Sequence, residues 1–241
     1  MLALTMENQL QKFNPNILCP DYLIMNRLRK ALIKYIPNMT GRVLDFGCGC
    51  KPYKEFFCVD DYIGLDIQNE AHPHLNEDID IIYDPNSSFP LADNEFDSVF
   101  STEVFEHVFN LEHVLRELRR VLKINGMLLI STPFCIAEHE QPNDFARYSS
   151  FGLKSLLERN GFQIIQQEKI GTSIETIIQI YLMHLHLDVL GKLPRIPLIK
   201  KFIRLFTYLF FNTLANVIHK VWPTGNDLYM NNIVIAKLIN K

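Results

Sequence analysis

A doubly wound α/β sheet is the fold class this sequence predicts, and three observations predict it. Short apolar runs alternate with segments of helical periodicity, the trace that parallel strands and crossover helices leave in a sequence. The run Val43-Leu44-Asp45-Phe46 breaks into Gly47-Cys48-Gly49, a glycine-spaced turn whose backbone can bend sharply and approach a ligand. A second run, Tyr62-Ile63-Gly64-Leu65-Asp66-Ile67, follows and again delivers an acid at its end. The 241 residues, 48% of them hydrophobic with a formal net charge of -3, suffice for one such domain with a full core and extra helices.

Each element follows in order. Tyr22, Leu23, Met25, Leu28, Leu32 and Tyr35 recur at helical spacing, so a helix is predicted to start after Asp21 and to end at Pro37. Between Gly49 and Tyr62 there is room for only a short helix, which abbreviates the first crossover. A third strand is predicted at 79–83 and a fourth at 96–101. From Leu111 to Lys123, the residues Leu111, Val114, Leu115, Leu118, Val121 and Leu122 form one stripe, with Glu112, Arg116, Glu117, Arg119 and Arg120 off it, as an amphipathic helix requires. Gly126 introduces a fifth strand, 127–131, which Pro133 closes. A helix over 150–160, capped by Gly161, leads into a sixth strand at 162–167, and a final strand lies at 232–238.

Residues 174–221 are not needed by a minimal sheet of this kind. They are rich in Ile, Leu, Phe and Tyr and broken by Gly191, Pro194 and Pro197. Their longest stretch without Asp, Glu, Lys or Arg, Leu205 to His219, is shorter than the ~18–20 residues that a bilayer demands, and Asn212 and Asn216 interrupt it. Lys192, Arg195, Lys200, Lys201 and Arg204 cluster at the start of the second half. The segment is expected to be a helical lid or a homodimer surface, or else a peripheral membrane contact made by a basic, apolar helix. The division expected is residues 1–40 as an N-terminal helical segment, 41–170 with 229–241 as the core, and 171–228 as the helical insertion.

Charge selects the ligand. Two acids at the ends of neighbouring strands, one beside a Gly-x-Gly turn, suit a nucleoside-bearing molecule at the carboxyl edge of an open sheet. A dinucleotide fingerprint wants a third glycine, and Pro52 stands where it would fall. Asp45, just ahead of the turn, would repel a pyrophosphate, which disfavours a nicotinamide-dependent oxidoreductase. S-adenosylmethionine has no phosphate, and its sulfonium and ammonium outweigh its one carboxylate. Asp66 is placed to accept from both ribose hydroxyls.

On these residues the sequence resembles the class I S-adenosylmethionine-dependent methyltransferases, in particular the branch of small-molecule "type 11" enzymes. The likeness begins at Leu44-Asp45-Phe46-Gly47-Cys48-Gly49 with Pro52-Tyr53, and continues through Gly64-Leu65-Asp66 and Phe89-Pro90-Leu91-Ala92-Asp93-Asn94-Glu95-Phe96-Asp97. It runs on to Glu106-His107-Val108 and Leu122-Lys123-Ile124-Asn125-Gly126, covering about residues 40 to 168. The resemblance implies a Rossmann-like, seven-stranded sheet whose last strand is antiparallel. It also implies cofactor contacts from Asp45, Gly47, Cys48 and Gly49 at the methionine end, and from Asp66 and Ile67 at the ribose and adenine. Asp84 would accept from the adenine amino group, or else simply form an Asp-Pro turn. Ser101 and Glu103, at the end of the fourth strand, would lie where cofactor and acceptor meet. His107 is expected to support the cofactor loop.

On the acceptor side, His139-Glu140-Gln141-Pro142-Asn143-Asp144-Phe145-Ala146-Arg147-Tyr148 follows the fifth strand. It resembles a His-x-x-Pro-x-Asp-x-x-Arg-Tyr pattern of relatives in bacterial surface-glycan and secondary-metabolic gene sets. His139 is the first choice for a general base, its ordinary pKa of about 6.5 suiting neutral pH. Asp144, Arg147 and Tyr148 are the expected acceptor contacts. Arg147 would grip a carboxylate or phosphate in bidentate fashion, or else pair with Asp144 and fix the loop.

The function expected is methyl transfer from S-adenosylmethionine to a small-molecule or lipid-linked acceptor, with a sugar hydroxyl in surface-polysaccharide biosynthesis leading. The alternative is a catalytically silent cofactor- or partner-binding module. No metal is expected. The cysteines at 19, 48, 50, 58 and 135 lack zinc-site spacing, and His72, His74, His113, His184, His186 and His219 show no ligand context. The near-neutral charge gives no pull toward nucleic acid. Met1 to Asn16 carries no signal-peptide pattern, so a cytoplasmic location is expected, extending to the inner face of the membrane if 174–221 binds it.

Overall fold

The computed structural model describes residues 12–68, 79–192, 197–223 and 225–240. His72, His74, Pro194 and Arg195, and the first eleven residues, lie outside the described residues. Seven strands form one sheet: β1 (Arg42–Phe46), β2 (Asp61–Ile67), β3 (Ile81–Tyr83), β4 (Phe96–Thr102), β5 (Leu122–Pro133), β6 (Phe162–Ile170) and β7 (Asn231–Leu238). Their order is β3-β2-β1-β4-β5-β7-β6. β1 to β5 pair in parallel, and β7 runs antiparallel to both β5 and β6.

Both faces of the sheet are covered, which is why its central strands read as continuous apolar runs. The side-chain period of two sends neighbours to opposite layers. Leu44, Val99 and Leu128 join a core with Leu115, Leu118, Leu153 and Leu157 from α2 (Leu111–Val121) and α3 (Ser150–Arg159). Val43, Phe100 and Leu129 join the opposite core with Leu28, Leu32 and Tyr35 from α1 (Tyr22–Tyr35).

The insertion comprises α4 (Ser173–His184), six residues of wider π-turns (Leu185–Leu190) and α5 (Pro197–Val221). A capping box starts α4, with the Thr172 hydroxyl and the Glu175 carboxylate satisfying each other's end of the first turn. Leu23 and Ile24 of α1 pack with Ile178 and Ala215, and Arg27 reaches Glu175 at 2.7 Å. Asn212 of α5 donates to the carbonyls of Ile17 and Cys19 at 2.7 and 2.9 Å. Among the described residues, no helix is long and apolar enough to cross a membrane.

Several boundaries differ from expectation, β3 starting at Ile81 rather than at 79 and β5 at Leu122 rather than at 127, while the first crossover is short as expected. α2 stops at Val121, because Leu122 turns extended and pairs with Phe96 in the sheet while staying fully buried. The ladder then resumes at Ser98 opposite Met127, so 123–126 bulge out, with Asn125 at φ 68°. The first crossover is a single 3-10 turn, Lys54–Phe56, and β6 extends to Ile170 along β7.

Candidate functional site

The chain runs outward from β1 to β3, then returns to lay β4 on the other side of β1. That reversal makes β1/β4 the switch point of the sheet, where loops diverge and leave a crevice at the carboxyl ends. The turn after β1 lies there. The Gly47 N–H donates to the Leu65 carbonyl at 2.8 Å, tying the turn to β2. Gly47 has φ 71°, and a Cβ on it would sit 2.3 Å from Val104 Cγ2. Gly49 has φ 46°, yet a Cβ on it would meet nothing within 4 Å, so its side of the turn is open space that a ligand can approach closely.

The two strand-end acids are held differently. Asp45 is 2% exposed and accepts from the Tyr62 hydroxyl at 2.6 Å. Burial pushes its pKa up to about 7, with the Tyr62 hydrogen bond opposing. Asp66 accepts the Gly49 N–H at 2.8 Å and the Ile67 N–H at 2.7 Å, which fixes its carboxylate beside the glycine turn. The Cys48 thiol is buried, and burial together with Asp45 raises its pKa, so it is a neutral lining group. Lys51 is buried beneath the turn and donates to Asp80 at 2.7 Å, and Asp80 also accepts the Gly64 N–H at 2.6 Å. Asp84 is engaged in its own turn, accepting from the Asn86 N–H at 2.9 Å and the Ser87 hydroxyl at 3.3 Å.

At the end of β4, Ser101 is buried, its hydroxyl unpaired among the described residues. Glu103 adopts φ 55°, uncommon for a residue with a side chain, and accepts from Ser131 and Asn231 at 2.7 Å each. Burial raises its pKa to about 7. A 3-10 turn, Phe105–His107, follows. Glu106 on it is fully buried and held well above the usual carboxylate range by burial and by Glu103.

The loop after β5 closes over this turn. The Phe145 N–H donates to the Glu106 carbonyl at 2.8 Å, and His107 Nδ1 meets the Asn143 carbonyl at 2.7 Å. Asp144 forms a bidentate pair with Arg147 and accepts the His139 N–H at 2.9 Å. The Arg147 fork holds the Asp144 pKa down at about 2. Burial and the neighbouring His107 ring lower the His139 pKa, so the ring is neutral near pH 7. The backbone of Tyr148 accepts from Asn232 at 2.7 Å, anchoring the loop to β7.

Asp45, Gly47, Cys48, Gly49, Asp66 and Ile67 thus converge on one turn, with Ser101 and Glu103 at the end of β4 in the same crevice. His139, Asp144, Arg147 and Tyr148 share the loop above. Asp84 is drawn into its own turn. Sequence reading passed over Tyr62, Lys51, Asp80 and Asn231, whose roles depend on strand register and on partners far along the chain. A separate cleft of about 350 Å³, lined by Arg27, Lys30, Lys34 and Lys169, contains none of the strand-end acids.

The donor set fits S-adenosylmethionine. The Gly49 side is open space, Asp45 and Asp66 are acids suited to its sulfonium and ammonium, and among the described residues only a 3-10 turn, Lys54–Phe56, follows the glycine turn. The strand order, with its antiparallel β7, is that of the class I S-adenosylmethionine-dependent methyltransferase fold. Residues 44–130 match the family profile Methyltransf_11, described as a methyltransferase domain. The "Probable S-adenosylmethionine-dependent methyltransferase Rv3030" of Mycobacterium tuberculosis is 31% identical over 103 residues, 40% of this chain and 38% of the relative. The chain matches less than half the length of the first of its curated relatives. The malonyl-[acyl-carrier protein] O-methyltransferase of Legionella pneumophila is 23% identical over 209 residues, 74% of this chain and 73% of that one. The crystal structure of an S-adenosylmethionine-dependent methyltransferase from Archaeoglobus fulgidus shares the fold, with TM-score 0.52, 20% identity, and 94% and 96% of the two chains covered.

Proposed function

We propose that the chain transfers a methyl group from S-adenosylmethionine to a hydroxyl oxygen of a small or lipid-linked acceptor, with a sugar hydroxyl first. The observation that carries this reading is the open Gly49 cradle set between two strand-end acids, Asp45 and Asp66. When bound, S-adenosylmethionine supplies a sulfonium methyl group already activated for in-line displacement. The chain's task is then to orient the acceptor and exclude water. Asp66 accepts from the ribose hydroxyls, and Asp45, steadied by Tyr62, faces the methionine ammonium. Ser101 and Glu103 line the junction of cofactor and acceptor. His139, neutral near pH 7 and steadied by Asp144, takes the hydroxyl proton. The Legionella relative is by name an O-methyltransferase, which favours oxygen as the acceptor atom. The test is incubation with S-adenosylmethionine and nucleotide- and lipid-linked sugars, read by mass spectrometry. One methyl gained on oxygen supports the proposal. Tight binding of S-adenosylhomocysteine with transfer to nitrogen or carbon instead would overturn the hydroxyl acceptor, and binding without transfer to oxygen, nitrogen or carbon acceptors would make the chain a silent cofactor-binding module.

We also propose that α5 lies on an anionic membrane surface, where lipid-linked acceptors reside. Leu198, Phe202, Phe206 and Phe210 are spaced four residues apart, so they share one helix face, and Phe202 is 76% exposed. Lys201 and Lys220 are exposed on the same helix, giving it the basic, apolar character of an interfacial element. Vesicles of phosphatidylserine and phosphatidylcholine should sediment the wild type and leave a Phe202→Ser, Phe206→Ser variant in solution. Dimers in the ultracentrifuge that the same variant abolishes, without vesicle binding, would give this face to a second copy.

A further inference from the structure

The buried turn after β4 faces two histidines without a donor between them. The Glu106 side chain is wholly inaccessible, and neither carboxylate oxygen has a hydrogen-bond partner among the described residues. Its Oε1 lies 3.7 Å from His107 Nε2 and 3.9 Å from His139 Nε2. One ligand atom from each of the three residues falls within 4.8 Å of the others. The opposite ring nitrogens are already held. His107 Nδ1 is 2.7 Å from the Asn143 carbonyl, an acceptor only, so that nitrogen carries the proton and Nε2 of the neutral ring presents a lone pair. His139 Nδ1 has Asp144 Oδ2 at 3.3 Å, a carboxylate that is itself fixed by Arg147 and by the His139 N–H, and it also lies 3.4 Å from the Ala137 carbonyl and from the Arg147 guanidinium.

We propose that Glu106, His107 and His139 bind a divalent first-row transition metal ion, zinc foremost. Two ring nitrogens and a carboxylate with no hydrogen-bond donor among the described residues converge here, an arrangement that a bound cation satisfies. The imidazoles favour zinc, copper, iron or nickel over magnesium, which prefers oxygen. The outer partners have the form that orients metal-bound histidines elsewhere, a backbone carbonyl on one ring and a carboxylate on the other. Bonds of about 2.0–2.1 Å place tetrahedral ligand atoms ~3.4 Å apart, so the two Glu106 edges, at 3.7 and 3.9 Å, have to close by some tenths of an ångström and the edge between the two rings, within 4.8 Å, by up to about 1.4 Å. Glu106 shuts one side, while the His139 side chain is 33% exposed, so a fourth position opens toward the acceptor loop. The site stands on its own geometry, whether or not the chain transfers methyl groups. With metal bound, His139 Nε2 is a ligand rather than a free base. The ion would then supply Lewis-acid polarisation to an acceptor hydroxyl reaching the open position.

The test uses the full chain, stripped with a chelator and titrated with zinc by calorimetry, with cobalt as a spectroscopic probe. One equivalent of zinc should bind, and cobalt should give visible bands of nitrogen–oxygen ligation. His139→Gln and Glu106→Gln should each weaken zinc by about 100-fold or more, and Asp144→Asn by about tenfold, as for an outer partner. Circular dichroism checks the fold of each variant. The cobalt spectrum of the wild type reads the ligands even if a variant fails to fold. No saturable uptake by folded wild type, or uptake unchanged in folded His139→Gln, would overturn the site.

Discussion

Replacing Asp66 by alanine isolates the one side chain expected to read the ribose. Its carboxylate takes the Gly49 N–H on Oδ2 at 2.8 Å and the Ile67 N–H on Oδ1 at 2.7 Å. Each carboxylate oxygen offers about two acceptor positions, so these bonds do not exhaust it. Hydrogen bonds to a charged partner contribute about 1.5–3 kcal/mol each. Two ribose contacts, partly replaced by water in the variant, amount to about 3 kcal/mol, or roughly 100-fold in Kd. Calorimetric titration with S-adenosylhomocysteine reads this directly. Asp84→Ala is the matched control: that carboxylate is exposed and engaged by Asn86 and Ser87, so its loss should change Kd by no more than about twofold. An Asp66→Ala protein with native circular dichroism and a Kd within about threefold of wild type would refute the assignment of the crevice.

Two further outcomes follow from the same geometry. The folded pKa of Asp45 is raised from 3.8 to about 7, so between those values the native state holds a proton that the unfolded chain has lost, and Asp45 lowers stability as pH rises through that window. A ligand ammonium favours the carboxylate, so affinity for S-adenosylhomocysteine should climb toward pH 7 with a slope of up to about one log unit per pH unit, and Asp45→Asn should flatten it. Gly47→Ala combines φ 71° with a Cβ placed 2.3 Å from Val104 Cγ2. A loss of about 2–3 kcal/mol should lower Tm by roughly 5–10 °C in scanning calorimetry. Adding Val104→Ala should recover the steric part, and equal drops in the single and double variants would sink that account.

What could be read from the sequence was whatever rests on local pattern. Asp45 and Asp66 each end an apolar run, and the glycine spacing fixes where the chain must turn, so their shared crevice was legible from residues about twenty apart. The end of α2 was not. Leu122 fits an amphipathic helix and a buried strand equally well, and only its pairing with Phe96 decides. The resemblance points to Asp84 and offers no signal for Asp80. Yet Asp84 heads an Asp-Pro-Asn-Ser stretch whose turn chemistry claims its carboxylate, while strand register carries Asp80 to Gly64 and Lys51. The convergence of Glu106 and His107 on His139 spans more than thirty residues and a strand, beyond the reach of any spacing rule.

The distribution of buried acids argues about purpose as well as place. Asp45, Glu103 and Glu106 are all withdrawn from water near the carboxyl ends of β1 and β4. Burying a carboxylate costs several kcal/mol unless it is neutralised or paired, and an apolar residue of similar volume is often the more stable choice. Asp45 has one hydroxyl donor, Glu103 has a hydroxyl and an amide, and Glu106 has no described donor. None of the three meets a lysine or arginine in an ion pair among the described residues. A scaffold whose only task was to hold a partner on its outer surface would have no use for such groups in its crevice. They are accounted for if cations arrive there, a sulfonium and ammonium at Asp45 and a metal ion at Glu106, and the stability given up in the empty protein is then returned on binding. The same reasoning separates this crevice from the basic cleft beside α1. There Arg27 is paired with Glu175, and Lys34 with Glu168, so two of its four cations are already compensated by acids of the same cleft.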